Sequence, residues 1–397
     1  MDPIRNPYTP NAGAPPAALV GRDDQLQSFD LLLARLERRR SEQSMIITGL
    51  RGVGKTVLLG EFREKALSAD WVVVEVEVSK HDELGFRTSL ASKLRTAMFE
   101  LSPRSEWTAK LRHAMSVLKS FTVSVDSTGV VSAGLDIEAA EGFADHGRLD
   151  LDLTDLFVAV GEAAQDRSRG VVLLFDEVQF LNRQQLEAII MALHKLVQRR
   201  LPVTLVGAGL PQIAELAGDA KSYAERLFKF PGIGNLTEQA ARRALAEPAE
   251  AEGVAFTDEA LHRALTITGR YPYFLQELGS AAWASASGSE ITPVDIDHCQ
   301  GLYVSKLDGS FFRVRIDRCT NRQRQYLRAM AELGGEPQKA QDVAALLGRQ
   351  SSQVAPFRAE LISMGLLYTP EHGYAAFTVP RFDQYMKRIL PTFEVPS

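Results

Sequence analysis

The sequence predicts an α/β protein with a three-layer core around a parallel β-sheet, then an α-helical segment and a C-terminal domain of three helices and a hairpin. Two observations predict the core: the glycine-rich segment Gly49–Thr56 follows a short apolar run, and a second apolar run, Val171–Phe175, ends in an acidic pair. Uninterrupted apolar runs are typical of parallel strands buried on both faces. The change to short helical patterns from Thr320 onward predicts the C-terminal domain.

Size and composition indicate a globular protein. A chain of 397 residues is long enough for two or three domains. The net charge of −5 argues against a surface covered in nucleic-acid-binding charge, although it allows one local basic surface. Because Cys299 and Cys319 are the only cysteines, disulfides are not expected to hold the fold. No segment resembles a signal peptide or a membrane helix, so we expect a cytoplasmic protein without membrane contact.

The segment GLRGVGKT is predicted to bind nucleotide phosphates. It lies between the apolar run Met45–Thr48 and a predicted helix that carries Val57, Leu58, Phe62 and Leu67 on roughly one face. Its glycines let backbone N–H groups point at phosphate oxygens, Lys55 would reach the outer phosphates, and Thr56 would ligate Mg²⁺. A chance glycine-rich loop is the alternative, and the strand–loop–helix context disfavours it. The nucleotide contacts assigned here are Gly49, Arg51, Gly52, Val53, Gly54, Lys55, Thr56 and Val57.

The acidic pair supplies a second part of the site. Asp176 follows Val171–Phe175, at the strand end where ligands bind in such sheets. We expect Asp176 to hold the Mg²⁺ shell and Glu177 to orient or deprotonate the attacking water. The alternative, a capping pair before a helix, is disfavoured by the phosphate loop earlier in the chain.

Two further strands, Trp71–Val78 and Leu201–Pro211, complete the pattern of a P-loop ATPase that carries an additional strand. The end of the later strand, where that class places a polar sensor of the γ-phosphate, consists of Gly207, Ala208 and Gly209. None of the three offers a side-chain donor, so sensing would be weak or made by the backbone.

The chain resembles AAA+ ATPases of the branch shared by origin-recognition-type initiators and STAND-type signalling ATPases. Besides the two core motifs, the resemblance rests on LVGRDDQLQSF at Leu19–Phe29, on KSYAERLFKFPGIGNLTEQAARRAL, and on TGRYPYFLQELG at Thr268–Gly279. It spans roughly residues 15 to 300. It implies a core over residues 1–232 with an insert at about 100–155, a helical lid over 233–305, and a winged helix domain over 306–397.

The resemblance also implies roles for five residues. Val20 and Gly21 would line the adenine pocket, although they could simply begin a helix. Arg226 would be an arginine finger acting on a neighbouring subunit, or an ordinary ion-pairing residue. Arg270 would be the sensor arginine of the lid, and Pro272, which begins a helix, would lie beside it. An arginine finger implies a homo-oligomer with shared active sites.

The insert contains a predicted hairpin, Phe121–Ile137, around a turn at residues 126–129. Such a hairpin could contact a partner or DNA. Because the region lacks basic residues, a decorated crossover connection is the favoured interpretation.

The C-terminal pattern of three helices and two short strands predicts a winged helix-turn-helix. Its third helix would enter the major groove, and His372 would lie at the tip of the wing. From Arg318 to Ser397 there are ten Lys and Arg against seven Asp and Glu, a sign that suits DNA. The candidate DNA contacts, all expected to be exposed, are Arg349, Gln350, Ser351, Gln353, Arg358 and His372.

These features lead to one main hypothesis and two alternatives. The main one is an ATP-dependent switch that alternates between ATP and ADP with slow hydrolysis and binds double-stranded DNA through the winged helix. A STAND-like signalling ATPase, whose winged helix makes protein or intramolecular contacts, is the second. A metabolic P-loop kinase is the third, and it gives no reason for a winged helix.

Overall fold

The computed structural model describes residues 1–79, 83–123 and 137–393. The chain forms two compact units. The first, here called the sheet unit, comprises Arg22–Gly49 and Lys55–Ile233. The second, the helical unit, comprises Met1–Gly21, Leu50–Gly54 and Gly234–Ser397. Within the described ranges, no helix is long and apolar enough to cross a membrane.

The sheet unit alternates strands and helices along the chain. Its strands are β1 (Ser44–Thr48), β2 (Val72–Glu77), β3 (Val171–Asp176), β4 (Val203–Gly209) and β5 (Phe228–Lys229). Its helices are α1 (Asp23–Glu37), α2 (Lys55–Ser68), α3 (Glu83–Leu101), α4 (Ala109–Val123), α5 (Leu149–Asp166), α6 (Arg183–Arg199), α7 (Ile213–Ala220) and α8 (Ala224–Leu227), with 3-10 turns at Arg104–Glu106 and Val178–Phe180.

The five strands form one parallel sheet in the order β2-β3-β4-β1-β5, so the predicted parallel sheet is confirmed. Every residue of β1 and β4 is buried, as the apolar runs predict. Strand β4 lies between β1 and β3 and pairs with both. Because the strands are parallel, the carboxyl ends of β1, β3 and β4 meet at one edge, which brings Thr48 beside Gly209.

Two expectations about this unit are wrong. Leu67 is 42% exposed, whereas Leu58, Leu59 and Phe62 form the buried face of α2. Leu67 follows Phe62 by five residues, which turns it about 140° around the helix. Phe121, expected to begin a hairpin strand, is instead buried near the end of α4. The rest of the predicted hairpin, at residues 124–136, lies outside the described residues.

The helical unit begins with a 3-10 turn, Pro3–Arg5, and continues after Gly234. Its helices are α9 (Glu238–Ala251), α10 (Asp258–Thr268), α11 (Pro272–Ser285), α12 (Pro293–Lys306), a π-helical turn (Leu307–Phe312), α13 (Arg313–Ile316), α14 (Asn321–Leu333), α15 (Ala340–Leu346), α16 (Ser351–Ser363) and α17 (Phe382–Ile389). Its strands are β6 (Ala255–Phe256), β7 (Glu290–Ile291), β8 (Gln338–Lys339), β9 (Leu367–Tyr368) and β10 (Tyr374–Phe377).

The C-terminal part of this unit has the elements that its sequence pattern predicts, together with one additional strand. Thr320 caps α14 by accepting from the Gln323 N–H, as an N-terminal threonine should. Strands β9 and β10 form the predicted hairpin, and β8 pairs with β10 on the other side to give a three-stranded antiparallel sheet. Strand β8 was not predicted because two residues carry no alternating pattern.

Candidate nucleotide-binding site

The phosphate loop begins where β1 ends. The Gly49 N–H donates to the Gly209 carbonyl at 3.1 Å, which attaches the start of the loop to the end of β4. Lys55 is the first residue of α2, and its buried ammonium donates to the Gly49 carbonyl at 2.9 Å. The ammonium is thus held across the mouth of the loop by a backbone oxygen.

Two glycines give the loop its backbone shape. Gly52 and Gly54 have φ of 88° and 92°, values at which other residues are strained. Apart from its two chain neighbours, no described residue has an atom within 4 Å of the position that a Cβ on Gly54 would occupy. Gly54 is therefore required by backbone conformation and not by lack of space.

Thr56 and Asp176 form one oxygen pair. The Thr56 hydroxyl donates to Asp176 Oδ2 at 2.6 Å, and Asp176 Oδ1 accepts from the Glu177 N–H at 2.8 Å. Burial raises the pKa of Asp176, while the bond from Thr56 opposes that shift. A hydroxyl beside a carboxylate is a donor set that Mg²⁺ prefers, so these residues fit the metal expected of the site.

Glu177 lies immediately after β3 in a left-handed conformation, with φ of 55°. This conformation is uncommon for a residue other than glycine and marks positions held by their surroundings. The Glu177 Oε2 atom accepts a hydrogen bond from the side-chain amide of Gln179. Gln179 also accepts from the Leu210 N–H at 3.1 Å, beyond the end of β4. Sequence reasoning missed Gln179, since a glutamine in a short turn carries no recognisable motif.

The apex of the loop, Leu50–Gly54, belongs to the helical unit. The Arg51 N–H donates to the Thr378 carbonyl at 3.0 Å, and the Arg51 guanidinium Nε donates to the Gly365 carbonyl at 3.3 Å. Thr378 is fully buried, and its hydroxyl also donates to Gly365. Arg51 therefore contacts the C-terminal segment through both its backbone and its side chain, a role that its place in the motif did not indicate.

Two tyrosines of the TGRYPYFLQ segment hold the carbonyls of the same apex. The Tyr271 hydroxyl donates to the Arg51 carbonyl, and the Tyr273 N–H donates to the Gly52 carbonyl at 3.1 Å. Burial raises the pKa of both phenols. A Cβ on Gly52 would approach Tyr273 Cβ to 3.1 Å, so glycine also permits this close packing.

The other residues assigned to nucleotide binding take varied positions. Val20 is buried, and Gly21 has φ of 68° and leaves only 2.9 Å between a Cβ built there and Ala240 Cβ. Arg270 is exposed with φ of 62°, and Pro272 is the first residue of α11. Val53 is buried between the loop glycines Gly52 and Gly54, and Val57 is half-buried in α2.

Arg226 is exposed in the short helix α8. Its backbone carbonyl accepts from the Gln43 side chain at 3.1 Å. Its role as an arginine finger, which the resemblance implies, stays a prediction.

The expectation that all the candidate DNA contacts are exposed is wrong for two of them. Arg358 is half-buried, and its guanidinium donates to the Tyr374 carbonyl at 2.6 Å and to Thr369 at 3.3 Å, which ties α16 to the hairpin. Arg349 is half-buried as well. The side chains of Gln350 and Gln353 cap the start of α16, although both remain exposed. Ser351 and His372 are exposed.

Two family models match parts of the chain. Residues 18–206 match a family model described as an AAA ATPase domain, and residues 309–386 match one described as Domain of unknown function (DUF8462). None of the curated proteins matches the chain.

Several solved structures are similar. The Walker-type ATPase paby2304 of Pyrococcus abyssi is 14% identical with a TM-score of 0.57, over 93% of this chain and 96% of that one. Cdc6p of Pyrobaculum aerophilum is 15% identical with a TM-score of 0.46, over 98% of both chains. The Orc1 protein of Aeropyrum pernix, solved in complex with DNA, is 14% identical with a TM-score of 0.43, over 94% of both. At such identities the likeness concerns the fold alone. Residues 18–206 match the AAA ATPase domain, and the chain is an ATPase.

Proposed function

We propose that this ATPase is a nucleotide-dependent switch in which the C-terminal domain, a winged helix, is tied to the phosphate loop through Arg51. The observation that carries the proposal is the pair of bonds from Arg51 to the carbonyls of Thr378 and Gly365. An ATPase whose nucleotide loop contacts its C-terminal domain has a direct means to report the bound state.

The bonds at the apex explain how nucleotide would be sensed. A phosphate loop binds anions by turning its N–H groups toward them. Here the Arg51 N–H donates to the Thr378 carbonyl. The Arg51 carbonyl accepts from the Tyr271 hydroxyl, and the Gly52 carbonyl accepts from the Tyr273 N–H. A nucleotide that reorients these peptides would break the bonds, and the linkage acts equally in reverse. Movement of the C-terminal domain would therefore alter nucleotide affinity.

The chemistry of the switch rests on residues of the sheet unit. Lys55 would bind the outer phosphates once it leaves the Gly49 carbonyl. Thr56 and Asp176 would hold Mg²⁺, which neutralises charge on the phosphates when bound. Glu177 would orient the attacking water and accept its proton.

Duplex DNA is the first candidate for what the switch binds. This part of the proposal rests on the winged helix architecture and on the exposed start of α16, with Gln350, Ser351 and Gln353. His372 would contact the backbone from the wing. Arg358 is better explained as a residue that stabilises the domain, because its guanidinium bonds to Tyr374 and Thr369.

The test is binding of a labelled duplex by the intact protein at two salt concentrations, with and without ATP. We expect affinity to fall with salt, as phosphate contacts require, and to change on ATP addition. In R51A the effect of ATP should shrink, since the connection to the C-terminal domain is cut. The absence of salt-sensitive binding in both nucleotide states would contradict the DNA part of the proposal.

The second candidate is a STAND-like signalling ATPase in which the winged helix makes intramolecular and protein contacts. The bonds of Arg51 to Gly365 and Thr378 favour it specifically, because they are intramolecular contacts of that domain. If the intact protein binds no duplex DNA but ATP still changes its C-terminal domain, this candidate is favoured over DNA binding.

We propose further that Arg226 acts on the active site of a second copy of the chain. Its exposure in α8 is compatible with contact to a neighbour. Mixing R226A protein with E177Q protein tests this: shared sites predict that the mixture regains activity, because an R226A site can receive Arg226 from an E177Q neighbour. Activity of the mixture no higher than the sum of the two separate proteins would contradict it.

A further inference from the structure

We propose that Gln179 is a positioning residue for ATP hydrolysis. It holds the Glu177 carboxylate against the end of β4, in place of the polar side chain that this strand end lacks. The inference rests on the role of Glu177 proposed above. It concerns a residue in the turn after β3 that belongs to neither of the two core motifs.

The amide of Gln179 contacts both partners at once. Its Nε2 donates to Glu177 Oε2, and its Oε1 accepts from the Leu210 N–H at 3.1 Å. The amide thus donates to Glu177 on one side and accepts from Leu210 on the other. These two bonds fix the orientation of the amide and, with it, the position of the carboxylate. A hydrogen bond to a charged carboxylate is stronger than one between neutral groups.

The glycines of β4 make room for this arrangement. A Cβ on Gly209 would lie 2.9 Å from Gln179 Oε1 and 2.7 Å from Val178 Cγ2. A Cβ on Gly207 would lie 3.1 Å from Val178 Cγ1. Gly207 and Gly209 offer no side-chain sensor at this strand end, and the space that they leave lets the turn with Val178 and Gln179 pack against it.

The same strand end also holds the phosphate loop. Gly209 accepts from the Gly49 N–H at 3.1 Å, and Gly49 accepts from Lys55 Nζ at 2.9 Å. Hydrogen bonds thus run from Lys55 through Gly49 and β4 to Gln179 and Glu177. This sequence of contacts fixes the position of the carboxylate relative to the loop that would hold the reacting phosphate.

The first test compares Q179A with Q198A. Gln198 is exposed on α6 and bonds only weakly, to His194 at 3.5 Å, so Q198A should behave as wild type. Q179A should lower kcat between about ten- and a hundredfold, because a displaced catalytic group costs rate in that range. The KM for ATP and the melting temperature should stay at the values of the Q198A protein.

The second test uses Q179E, which keeps the shape of the side chain and removes the N–H donor. A carboxylate at position 179 would repel the Glu177 carboxylate that the Gln179 amide now holds. The kcat of Q179E should therefore fall at least as far as that of Q179A, with the KM for ATP unchanged. A role in packing alone would leave the kcat of this variant near that of the wild type.

The third test uses the glycines of β4. G209A should reproduce the kcat defect of Q179A and add little to it in the double variant, since both remove the same contact. G207A, which would place its methyl group against Val178 and Ile46 and not against Gln179, should retain more activity than G209A.

E177Q, assayed in parallel, separates two kinds of failure. Turnover by E177Q at the wild-type rate would overturn the role of Glu177 and the inference with it. Loss of turnover in E177Q, together with wild-type kcat in both Q179A and Q179E, would overturn the inference alone. A matching loss of ATP binding in Q179A would also overturn it, since positioning of Glu177 does not require weaker binding.

Discussion

Thr56 donates a 2.6 Å hydrogen bond to Asp176, which joins the first turn of α2 to the end of β3. These residues are 120 positions apart in the chain, and the parallel sheet brings them to the same edge. The contact brings together a hydroxyl and a carboxylate, the pair proposed above to hold Mg²⁺.

The D176N variant should lose Mg²⁺-dependent ATP affinity while gaining thermal stability without nucleotide. Burial raises the pKa of Asp176, so its ionised form is a cost to the folded state at neutral pH. That cost disappears as pH falls through the raised pKa, so the gain in melting temperature should shrink on acidification. Exposed Asp166 provides the control, D166N, with no change in either property. A lower melting temperature for D176N at neutral pH would contradict the account.

The K55A and E177Q variants should separate binding from turnover. K55A should abolish nucleotide binding, because it removes the ammonium group of the phosphate loop that would bind the outer phosphates. E177Q should retain binding and lose between about a hundred- and ten-thousandfold in kcat, the usual contribution of a general base. Calorimetric titration with ATP and a phosphate-release assay measure the two effects. Equal loss of binding in both variants would refute the separate roles.

Substitution of Gly54 tests the backbone of the loop. G54A forces a left-handed conformation on alanine, at about 1–2 kcal/mol, although nothing within 4 Å obstructs the methyl group. We expect ATP affinity to fall about tenfold or more. Gly60, which also has open space around it but lies within α2, is the matched control. G60A should raise stability by about 0.5–1 kcal/mol and leave affinity unchanged.

The Arg358 side chain offers a test of its structural role. R358A should destabilise the C-terminal domain by about 1–3 kcal/mol, because it leaves the Tyr374 carbonyl without its 2.6 Å partner. Exposed Arg322, at the start of α14, is the control. A loss of DNA affinity in R358A with an unchanged melting temperature would show that Arg358 is a DNA contact and not a stabilising residue.

The sequence was sufficient to predict the parallel sheet and the edge at which the phosphate loop and Asp176 meet. Buried parallel strands read as apolar runs, and the phosphate loop reads as glycines followed by Lys55 and Thr56. Contacts that join distant segments left no such pattern. The bond of Gln179 to Leu210 and those of Arg51 to Gly365 and Thr378 depend on packing between residues far apart in the chain.

Surface exposure was also misjudged where a long side chain turns inward. Arg358 occupies a helix position that looks suitable for DNA, yet its guanidinium reaches the hairpin carbonyl. Leu67 looked like a core residue, and the angular position at the end of α2 exposes it. Both errors arise because neighbours in space, and not the residue type alone, decide burial.

Arg51 connects the phosphate loop to the C-terminal domain through its bonds to Gly365 and Thr378. Hydrogen–deuterium exchange of the E177Q protein, with and without ATP, measures whether nucleotide acts through this connection. We predict that ATP slows exchange in residues 49–57 and accelerates it in residues 365–378, and that R51A shows the faster exchange in 365–378 without ATP. Protection of residues 49–57 by ATP with no change in residues 365–378 would contradict the claim.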